Sequence, residues 1–304
     1  MQPLAPLPLS SGDLIADRRF EWARGAMADG DFAGAADVLT QALELVPGYA
    51  AGWFALGEAR VKIGDRAGAV LAFDRACAVD PADRHGAALQ LTLLGAATPA
   101  TPPAYVRAVF DQYAPAFDKA LVEGLSYRAP QLLLDAVKVA RVPMKFGTVL
   151  DLGCGTGLTG VAFRPYCDFL IGIDVSGGMI AQAKAKGAYD KLIEAEIGAF
   201  LASEAPSTYH LVLAGDVFVY VAYLGPLFAA TARAMKDGAL FAFTAETHDG
   251  EGVLLRDTLR YAHGEAHVRA ALDEAKLALV SLETASTRTE KGEPVPGLIV
   301  VAAK

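Results

Sequence analysis

The chain has few cysteines and no long apolar run. Its three cysteines, Cys77, Cys154 and Cys167, are too few and too scattered for a disulfide framework. No CxxC or His/Cys spacing predicts a metal site. Nothing approaches the roughly 18 consecutive apolar residues of a membrane span. Residues 1–8 lack the basic and apolar regions of a signal peptide. We therefore expect a reduced, cytoplasmic chain without a metal or a membrane partner.

Positive charge is also scarce. Lysine and arginine number 27 against 35 aspartates and glutamates, which gives a net charge of −8, and the basic residues form no cluster. Binding to nucleic acid requires a basic patch, so we expect no nucleic-acid partner. With 53% apolar residues and ordinary proline and glycine content, the composition favours a packed core over disorder. At 304 residues the chain is long enough for two domains.

The most informative stretch is an apolar run that ends in Asp151 and is followed by glycines at 153, 155 and 157. This pattern predicts a buried strand, a tight turn and a helix. Gly153 and Gly155 lack a Cβ, so the backbone can bend sharply and a ligand can lie against it. The start of the next helix adds N–H donors, and Asp151 adds a carboxylate at the carboxyl end of the strand. We therefore expect a ligand-binding turn here.

The spacing of these glycines argues against two nucleotide-binding motifs. A dinucleotide-binding turn needs glycine at its sixth position, where this chain has Leu158, and a P-loop needs an absent Gly-Lys-Ser/Thr ending. A second acid, Asp174, ends the next apolar stretch and can accept hydrogen bonds from two ribose hydroxyls. Since NAD enzymes use an acid in the same way, Asp174 alone does not identify the cofactor.

Together, the Asp-x-Gly-x-Gly-x-Gly pattern from Asp151 and the acid Asp174 resemble the first two motifs of class I S-adenosylmethionine (SAM)-dependent methyltransferases. The resemblance implies an α/β Rossmann-like sheet of seven strands with a terminal antiparallel hairpin. It also implies SAM as cofactor and S-adenosylhomocysteine (SAH) as product. Alternating patterns from residue 146 onward agree with such a sheet. The predicted strands lie near 147–151, 169–174, 191–195, 209–215, 238–245, 278–286 and 296–302.

The resemblance also assigns cofactor-binding positions. Val175 and Met179 would form one side of an adenine slot. Glu196 stands where the family usually has an aspartate that contacts the adenine amino group, and the next backbone N–H would contact the ring. Gly215 would leave room near the sulfonium. The predicted cofactor-binding residues are Tyr113, Asp151, Gly153, Cys154, Gly155, Asp174, Val175, Met179, Glu196, Ile197, Gly215 and Asp216.

Residues 110–118 resemble the aromatic–Asp segment that opens many small-molecule methyltransferases and lies over the methionine portion of SAM. Apolar residues follow helical spacing here, and Pro115 marks a break between two helices. The resemblance implies that Tyr113 reaches the cofactor or the substrate and that Phe117 closes the pocket. Tyr127 and Arg128 are further candidate neighbours. Alternatively, these aromatic side chains only anchor two helices on the sheet.

Residues 16–96 contain an internal repeat. Trp53, Leu56 and Gly57 align with positions 34 residues earlier, and the similarity continues to Pro81 and Pro47. This period resembles tetratricopeptide repeats, each a pair of helices. Fewer than three repeats are present, so we expect them to pack on the catalytic domain or on a second copy. They would either bind a protein partner or form an appendage that dimerises or covers the active site.

These patterns predict three segments. Residues 1–98 form tetratricopeptide-like repeats, residues 99–145 a linker and helical lid, and residues 146–304 the SAM-binding methyltransferase domain. The linker is placed at residues 97–103 because proline and threonine dominate there.

A methyl acceptor with a hydroxyl, thiol or protonated amine also needs a general base. His263, between the fifth strand and the next helix, is the first candidate, followed by His248 and Tyr220. A non-catalytic role remains open for each of them, because histidine in loops is common.

Three arginines are candidates for holding an anionic group of the acceptor. Arg256, Arg260 and Arg288 can bind a carboxylate or a phosphate through paired hydrogen bonds. The alternative is that Arg256 and Arg260, four apart on a predicted helix, only pair with neighbouring acids.

The predicted function is methyl transfer from SAM to an oxygen or nitrogen of a small molecule, with the repeats used for assembly or partner binding. The fourth strand lacks a following Asn/Asp-Pro-Pro-Tyr, which disfavours DNA adenine and protein glutamine as acceptors. Two alternatives remain: a protein methyltransferase that recruits its target through the repeats, and a non-catalytic SAM-binding adaptor. An NAD(P) enzyme is disfavoured by Leu158.

Overall fold

The computed structural model describes residues 9–119, 121 and 124–304. Its residues divide into two compact units, one ending at Ala108 and the next beginning at Val109. Residues 1–8, from which the absence of a signal peptide was predicted, lie outside the described residues. Residues 120, 122 and 123 of the predicted lid also lie outside them. Among the described helices, none combines the length and the apolar character needed to cross a bilayer.

The first unit is built from consecutive helices, each packed against the next. Their bounds are α1 Leu14–Ala28, α2 Phe32–Leu45, α3 Ala50–Lys62, α4 Arg66–Val79 and α5 Ala87–Leu93. This arrangement confirms the predicted all-helical region.

The internal repeat is visible in the way equivalent helices begin and pack. Asp31 and Asp65 lie 34 residues apart and cap α2 and α4 with the same 2.9 Å hydrogen bond to the N–H three residues ahead. A Cβ added to Gly57 would lie 2.5 Å from the ring of Phe73. Only a residue without a side chain therefore allows α3 and α4 to approach this closely.

The second unit contains the predicted sheet. The strands of the described chain are β1 Phe146–Leu152, β2 Cys167–Asp174, β3 Lys191–Glu194, β4 Tyr209–Ala214, β5 Met235–Glu246, β6 Val253–Leu255, β7 Tyr261–His263, β8 Ala278–Thr284, β9 Thr289–Glu290, β10 Glu293–Pro294 and β11 Gly297–Ala303. The main sheet has the order β3-β2-β1-β4-β5-β11-β8. Strands β1 to β5 pair in parallel, and β11 is antiparallel to both β5 and β8. The seven-stranded Rossmann-like sheet is confirmed.

Alternation along the central strands divides the core into two layers. In β4, Leu211 and Leu213 belong to one buried cluster, whereas Val212 and Ala214 belong to the other. Successive side chains of a strand point to opposite faces, and both faces are covered when helices lie on each side.

The helices of this part are α6 Pro103–Tyr113, α7 Phe117–Lys119, α8 Ala129–Ala140, α9 Leu158–Phe163, α10 Gly177–Lys186, α11 Ile197–Ser203, α12 Leu224–Ala234 and α13 Glu265–Glu274. Helix α6 crosses the division between the two units.

Two short antiparallel pairs, β6 with β7 and β9 with β10, were not predicted. The helix expected to carry Arg256 and Arg260 is absent, and that prediction is wrong. Instead, the N–H of Arg256 donates to the carbonyl of Arg260 at 2.9 Å across the turn of the β6–β7 hairpin. The physical reason is Leu259, whose φ of +58° ends any helical run and reverses the chain.

Candidate functional site

The chain turns through three glycines directly after β1. Gly153, Gly155 and Gly157 have φ values of +60°, +53° and +91°, in the left-handed region that glycine adopts without steric cost. A Cβ added to Gly153 would lie 2.7 Å from the side chain of Val217, whereas one added to Gly155 would meet nothing within 4 Å. The backbone at Gly155 therefore borders open space, which suits a ligand that lies against the turn.

Asp174, at the end of β2, lies beside this turn. Its Oδ2 accepts the N–H of Gly155 at 2.9 Å, and its Oδ1 accepts the N–H of Ser176 at 2.8 Å. Burial raises the pKa of Asp174, and these backbone hydrogen bonds oppose the rise. Each carboxylate oxygen has a further lone pair for another donor. The position of Asp174 therefore suits the predicted contact with two ribose hydroxyls.

Asp151 lies beneath the turn and not at its surface. The side chain is 1% exposed, and its Oδ2 accepts the hydroxyl of Tyr189 at 2.6 Å. Burial raises the pKa of Asp151 to about 7, while the hydrogen bond from Tyr189 acts in the opposite direction. Cys154 ties the turn to β2, since its N–H donates to the carbonyl of Ile173 at 2.8 Å. In this structure both residues support the turn, and direct contact with a cofactor remains a prediction.

Tyr189 was missed by the sequence analysis. A Cβ on any of Gly157, Gly160 or Gly172 would come within 3.0 Å of its side chain, so its ring fills a slot that only glycines leave open. Its hydroxyl also accepts the N–H of Gly160 at 3.2 Å. The sequence offered one signal for this role: Gly160 lies inside α9 and Gly172 inside β2. A glycine inside a helix or strand weakens that element, and it often marks a place where another group approaches the backbone closely.

The predicted adenine-side residues are more enclosed than expected. Met179 is fully buried, and Val175 and Ile197 are partly buried. Glu196 caps α11, because its two carboxylate oxygens accept backbone N–H groups of the first turn at 2.8 and 2.7 Å. A contact between Glu196 and the adenine amino group would compete with this cap, and it remains a prediction.

Within the predicted lid region, residues 109–119 are held by two carboxylates, and these residues are called the lid from here on. Asp111 Oδ1 accepts the hydroxyl of Ser176 at 2.6 Å and the N–H of Gly178 at 3.1 Å, at the start of α10. Asp118 accepts the hydroxyl of Thr156 in the glycine turn and pairs with Lys186 Nζ. The two aspartates of the predicted segment therefore fasten the lid to the cofactor side of the sheet, a role that the sequence analysis did not assign to them.

The aromatic residues of the lid are arranged differently from the prediction. Phe110 packs edge-on against Phe117 and Tyr220, with ring centroids 5.8 and 5.4 Å apart. Tyr113 is 59% exposed. In this structure Phe110 makes the ring contacts of the lid, and the predicted contact of Tyr113 with the cofactor or the substrate remains a prediction.

The residues after β4 are held in an unusual backbone conformation. Asp216 has a φ of +57°, which a residue with a side chain adopts only when its surroundings fix it, often at a functional site. Its Oδ1 accepts the hydroxyls of Thr244 and Thr287, each at 3.1 Å. The neighbouring Gly215 leaves room beside Thr159, whose hydroxyl oxygen would lie 3.2 Å from an added Cβ. Asp216 therefore presents Oδ2 at the sheet edge next to the glycine turn.

A buried network of charges adjoins Asp216. Glu246, at the end of β5, is 3% exposed, and its Oε1 accepts Nε of Arg260 at 2.6 Å and Nη2 of Arg288 at 2.9 Å. Arg256 Nε lies 3.8 Å from the other oxygen of Glu246. Arg260 also donates to the hydroxyl of Tyr220 at 3.0 Å, with its guanidinium over the ring. The three arginines therefore meet at one acid from distant parts of the sequence.

The three predicted candidates for a general base are all engaged elsewhere. His263 is fully buried, with Nε2 3.0 Å from the carbonyl of Phe218, and burial lowers its pKa to about 4. His248 Nδ1 accepts the N–H of Gly250 at 3.1 Å. Burial raises the pKa of Tyr220, so its phenol stays protonated at neutral pH. His263 lies where β7 packs against β5 and the 218–220 turn, and a catalytic role for it remains a prediction.

Comparisons with known proteins agree with this geometry. Residues 150–241 match a family model described as a methyltransferase domain, and residues 26–93 match a tetratricopeptide repeat model. Human methyltransferase-like protein 27 (Homo sapiens) is 37% identical over 106 residues, which are 34% of this chain and 43% of that protein. The chain therefore matches less than half the length of this relative.

The fold is also found in a solved structure, the first of the two that follow. A chain from the complex of the Haloferax volcanii Trm112 methyltransferase activator with a methyltransferase superposes with a TM-score of 0.51 at 18% identity, covering 64% of this chain and 96% of that chain. A SAM-dependent methyltransferase from Leishmania major gives a TM-score of 0.48 at 15% identity, covering 67% and 78%. The two family matches and the strand order together confirm the predicted family: the chain carries a class I SAM-dependent methyltransferase domain preceded by tetratricopeptide repeats.

Proposed function

We propose that the chain transfers a methyl group from SAM to an oxygen or nitrogen atom of a small molecule. One observation carries the proposal: the open glycine turn with Asp174 and the network around Asp216 and Glu246 lie at the carboxyl ends of adjacent strands. This edge is where parallel α/β sheets bind ligands. A cofactor and an acceptor can therefore meet there.

The residues on the cofactor side fit a nucleoside with an amino-acid tail. Asp174 would hold the ribose hydroxyls, and the backbone at Gly155 would lie against the cofactor. When bound, SAM supplies a methyl carbon on a sulfonium, a leaving group that departs as neutral SAH. The lid, tied down by Asp111 and Asp118, would exclude water and keep the methyl group aligned with its acceptor.

Asp216 is the residue best placed to take the proton that the acceptor loses. Its Oδ1 is occupied by two threonine hydroxyls, whereas its Oδ2 has a 3.8 Å ion pair with Arg260. Oδ2 therefore keeps hydrogen-bonding capacity for an acceptor hydroxyl or ammonium group. His263 is less suitable, because an imidazole with a pKa of about 4 holds a proton poorly at neutral pH.

A small acceptor is favoured by the enclosure of the site. Glu246 and Arg288 are 3% and 7% exposed, and the lid is fastened to the sheet at two points. A folded protein would present a side chain here less easily than a small molecule would, because the groups that would contact the acceptor are buried. The repeats would then serve assembly or partner binding, a role supported by largely exposed apolar side chains such as Leu14 and Trp22.

The cofactor assignment is tested by the thermal unfolding midpoint in the presence of SAM, SAH, NAD and ATP. Binding to the native state stabilises it by about 2.7 kcal/mol when a ligand is present at 100 times its Kd. We expect SAM and SAH to raise the midpoint and NAD and ATP to leave it unchanged. Asp174→Ala should abolish the rise.

The matched control is Asp168→Ala, because Asp168 lies on the same strand but is mostly exposed and pairs with the exposed Lys145. This variant should respond to SAH like the wild type. A rise with NAD and none with SAM or SAH would refute the proposed function.

A further inference from the structure

The three arginines around Glu246 carry buried N–H groups that no hydrogen bond satisfies. Within the described part of the chain, Nε of Arg256, Nη2 of Arg260 and Nε of Arg288 are buried and have no hydrogen-bond partner. The side chain of Arg288 is 7% exposed. Buried polar groups in native proteins are paired with few exceptions, and each exception needs an explanation. These donors therefore indicate an acceptor that the polypeptide itself does not provide.

Their location connects them with both halves of the proposed site. Arg260 Nη2 lies 3.8 Å from Asp216 Oδ2, and its Nη1 bonds to Tyr220, whose ring contacts Phe110 of the lid. Val217, the residue after Asp216, packs over Gly153 in the glycine turn. The unsatisfied donors thus adjoin the lid and the turn, on the side where a methyl acceptor would bind.

The donor groups of the network define the kind of ligand. Arg260 and Arg288 are 16% and 7% exposed, and both already bond to Glu246, which is 3% exposed. Arg256 and Glu290 are 33% and 37% exposed, so water screens both of their charges. A buried N–H without an acceptor is unfavourable, and a carboxylate offers such donors two strong acceptor oxygens.

We propose that the methyl acceptor is a small molecule with a carboxylate, and that Arg260 and Arg288 hold this carboxylate beside Asp216. The inference rests on the proposed function and names its substrate class. Guanidinium groups bind carboxylates through paired, charge-assisted hydrogen bonds. A single neutral oxygen would form weaker hydrogen bonds with these donors, and a phosphate dianion would add a second negative charge beside Asp216 and Glu246. The methylated atom is a different oxygen or nitrogen of the same molecule, since a carboxylate held by two arginines is a poor nucleophile.

The test measures the thermal midpoint of the SAH-saturated protein with sodium acetate, acetamide or sodium sulfate, with sodium chloride keeping the ionic strength constant. Acetate is the smallest probe with a methyl group and a carboxylate, and acetamide has the same shape without the charge. Binding raises the midpoint by mass action, and a rise of about 2 to 4 °C is expected at saturating acetate. Acetamide should give no rise, and sulfate, which stabilises folded proteins by exclusion from their surface, should give only a rise that Arg288→Gln shows equally.

Variants assign the effect to the site. Arg288→Gln should lose the response to acetate and keep the response to SAH. Arg269→Gln is the matched control, because Arg269 is half exposed on α13 and pairs with Glu265; it should keep both responses. If Arg288→Gln does not fold, Arg288→Lys keeps the charge without the planar fork, and its acetate affinity should fall at least tenfold.

The two proposals fail in different ways. The carboxylate assignment would be overturned by no rise with acetate, or by an equal rise with acetamide. It would also be overturned by a sulfate rise that Arg288→Gln abolishes, or by an unchanged acetate response in the variant that folds. Loss of the SAH response in the wild type would instead overturn the proposed function.

Discussion

A single tyrosine organises the glycine turn from below. The ring of Tyr189 fills the slot between three glycines, and its hydroxyl joins Asp151 to the N–H of Gly160. The carboxyl of Asp151 is buried away from water, and the hydroxyl of Tyr189 donates a hydrogen bond to it. At the residue scale, the shape of the binding turn therefore depends on a side chain that was not part of the recognised motif.

This bond gives a pH-dependent prediction for Tyr189→Phe. Burial raises the pKa of Asp151 to about 7, so the folded chain holds a proton that the unfolded chain releases near pH 4. The stability that this proton contributes is present below about pH 4 and is lost as the pH rises through about 7. The variant lacks the hydrogen bond that lowers the pKa of Asp151, so this pKa is higher in the variant. The variant therefore goes on losing stability at pH values above those at which the wild type has stopped losing it.

We therefore expect Tyr189→Phe to be less stable than the wild type by about 1 kcal/mol near pH 5 and by about 1.5–3 kcal/mol near pH 9, where the bond is to an ionised carboxylate. Urea unfolding at both pH values measures the difference. Tyr223→Phe is the control, because Tyr223 is 56% exposed and should change little. A gap that stays constant or narrows with rising pH would contradict this account.

At the scale of the element, polar side chains attach the lid beside the glycine turn. The sequence pattern drew attention to aromatic side chains, yet two aspartates of the lid form hydrogen bonds and an ion pair with the cofactor side of the sheet. Asp111 binds the start of α10, and Asp118 reaches Thr156 and Lys186. Because both anchoring points flank the glycine turn, opening of the lid and access of the cofactor should be linked.

Asp118→Asn should weaken SAH binding with little effect on stability. The ion pair with Lys186 is partly exposed, at 42% and 24%, so its loss should cost less than about 1 kcal/mol of unfolding free energy. If the closed lid becomes less populated, the apparent Kd rises in proportion. We expect a rise of about twofold to fivefold, because 1 kcal/mol corresponds to about a fivefold change in an equilibrium constant, and isothermal titration calorimetry measures it. Asp135→Asn serves as the control, because the side chain of Asp135 on α8 is 57% exposed. An unchanged Kd for Asp118→Asn would contradict a role of the lid in SAH binding.

At the scale of the whole molecule, the chain consists of two units with separate cores. The clusters around Leu39 and Phe73 lie in the repeats, and those around Leu213 and Phe243 lie in the sheet. Such chains often unfold in more than one step. The two tryptophans of the chain, Trp22 and Trp53, both belong to the repeats, so their fluorescence reports on that unit alone.

We expect SAH to separate the two transitions. In urea, SAH should move the midpoint measured by circular dichroism for the methyltransferase unit and leave the midpoint measured by tryptophan emission unchanged. A ligand stabilises only the unit that binds it and whatever unfolds together with that unit. Asp174→Ala should remove the shift. A common shift of both signals would show that the units unfold as one.

Sequence and structure differ most where distant segments meet. The hairpin that carries Arg256 and Arg260 was predicted as a helix, because short apolar triplets separated by polar residues suit either pattern. His263 was a candidate base because its position along the chain was suitable, but burial decides its pKa, and burial is not a local property.

The sequence by itself determined the repeats, the sheet and the cofactor class. Helical periodicity, strand alternation and the glycine spacing after Asp151 act over a few residues, so they are visible in one dimension. Only the tertiary structure decided that Asp216, Glu246, Arg260 and Arg288, which come from four separate segments, meet in one buried network. The physical reason is that charge compensation, desolvation and unmet hydrogen bonds depend on which groups share an enclosed volume, and the fold alone brings those groups together.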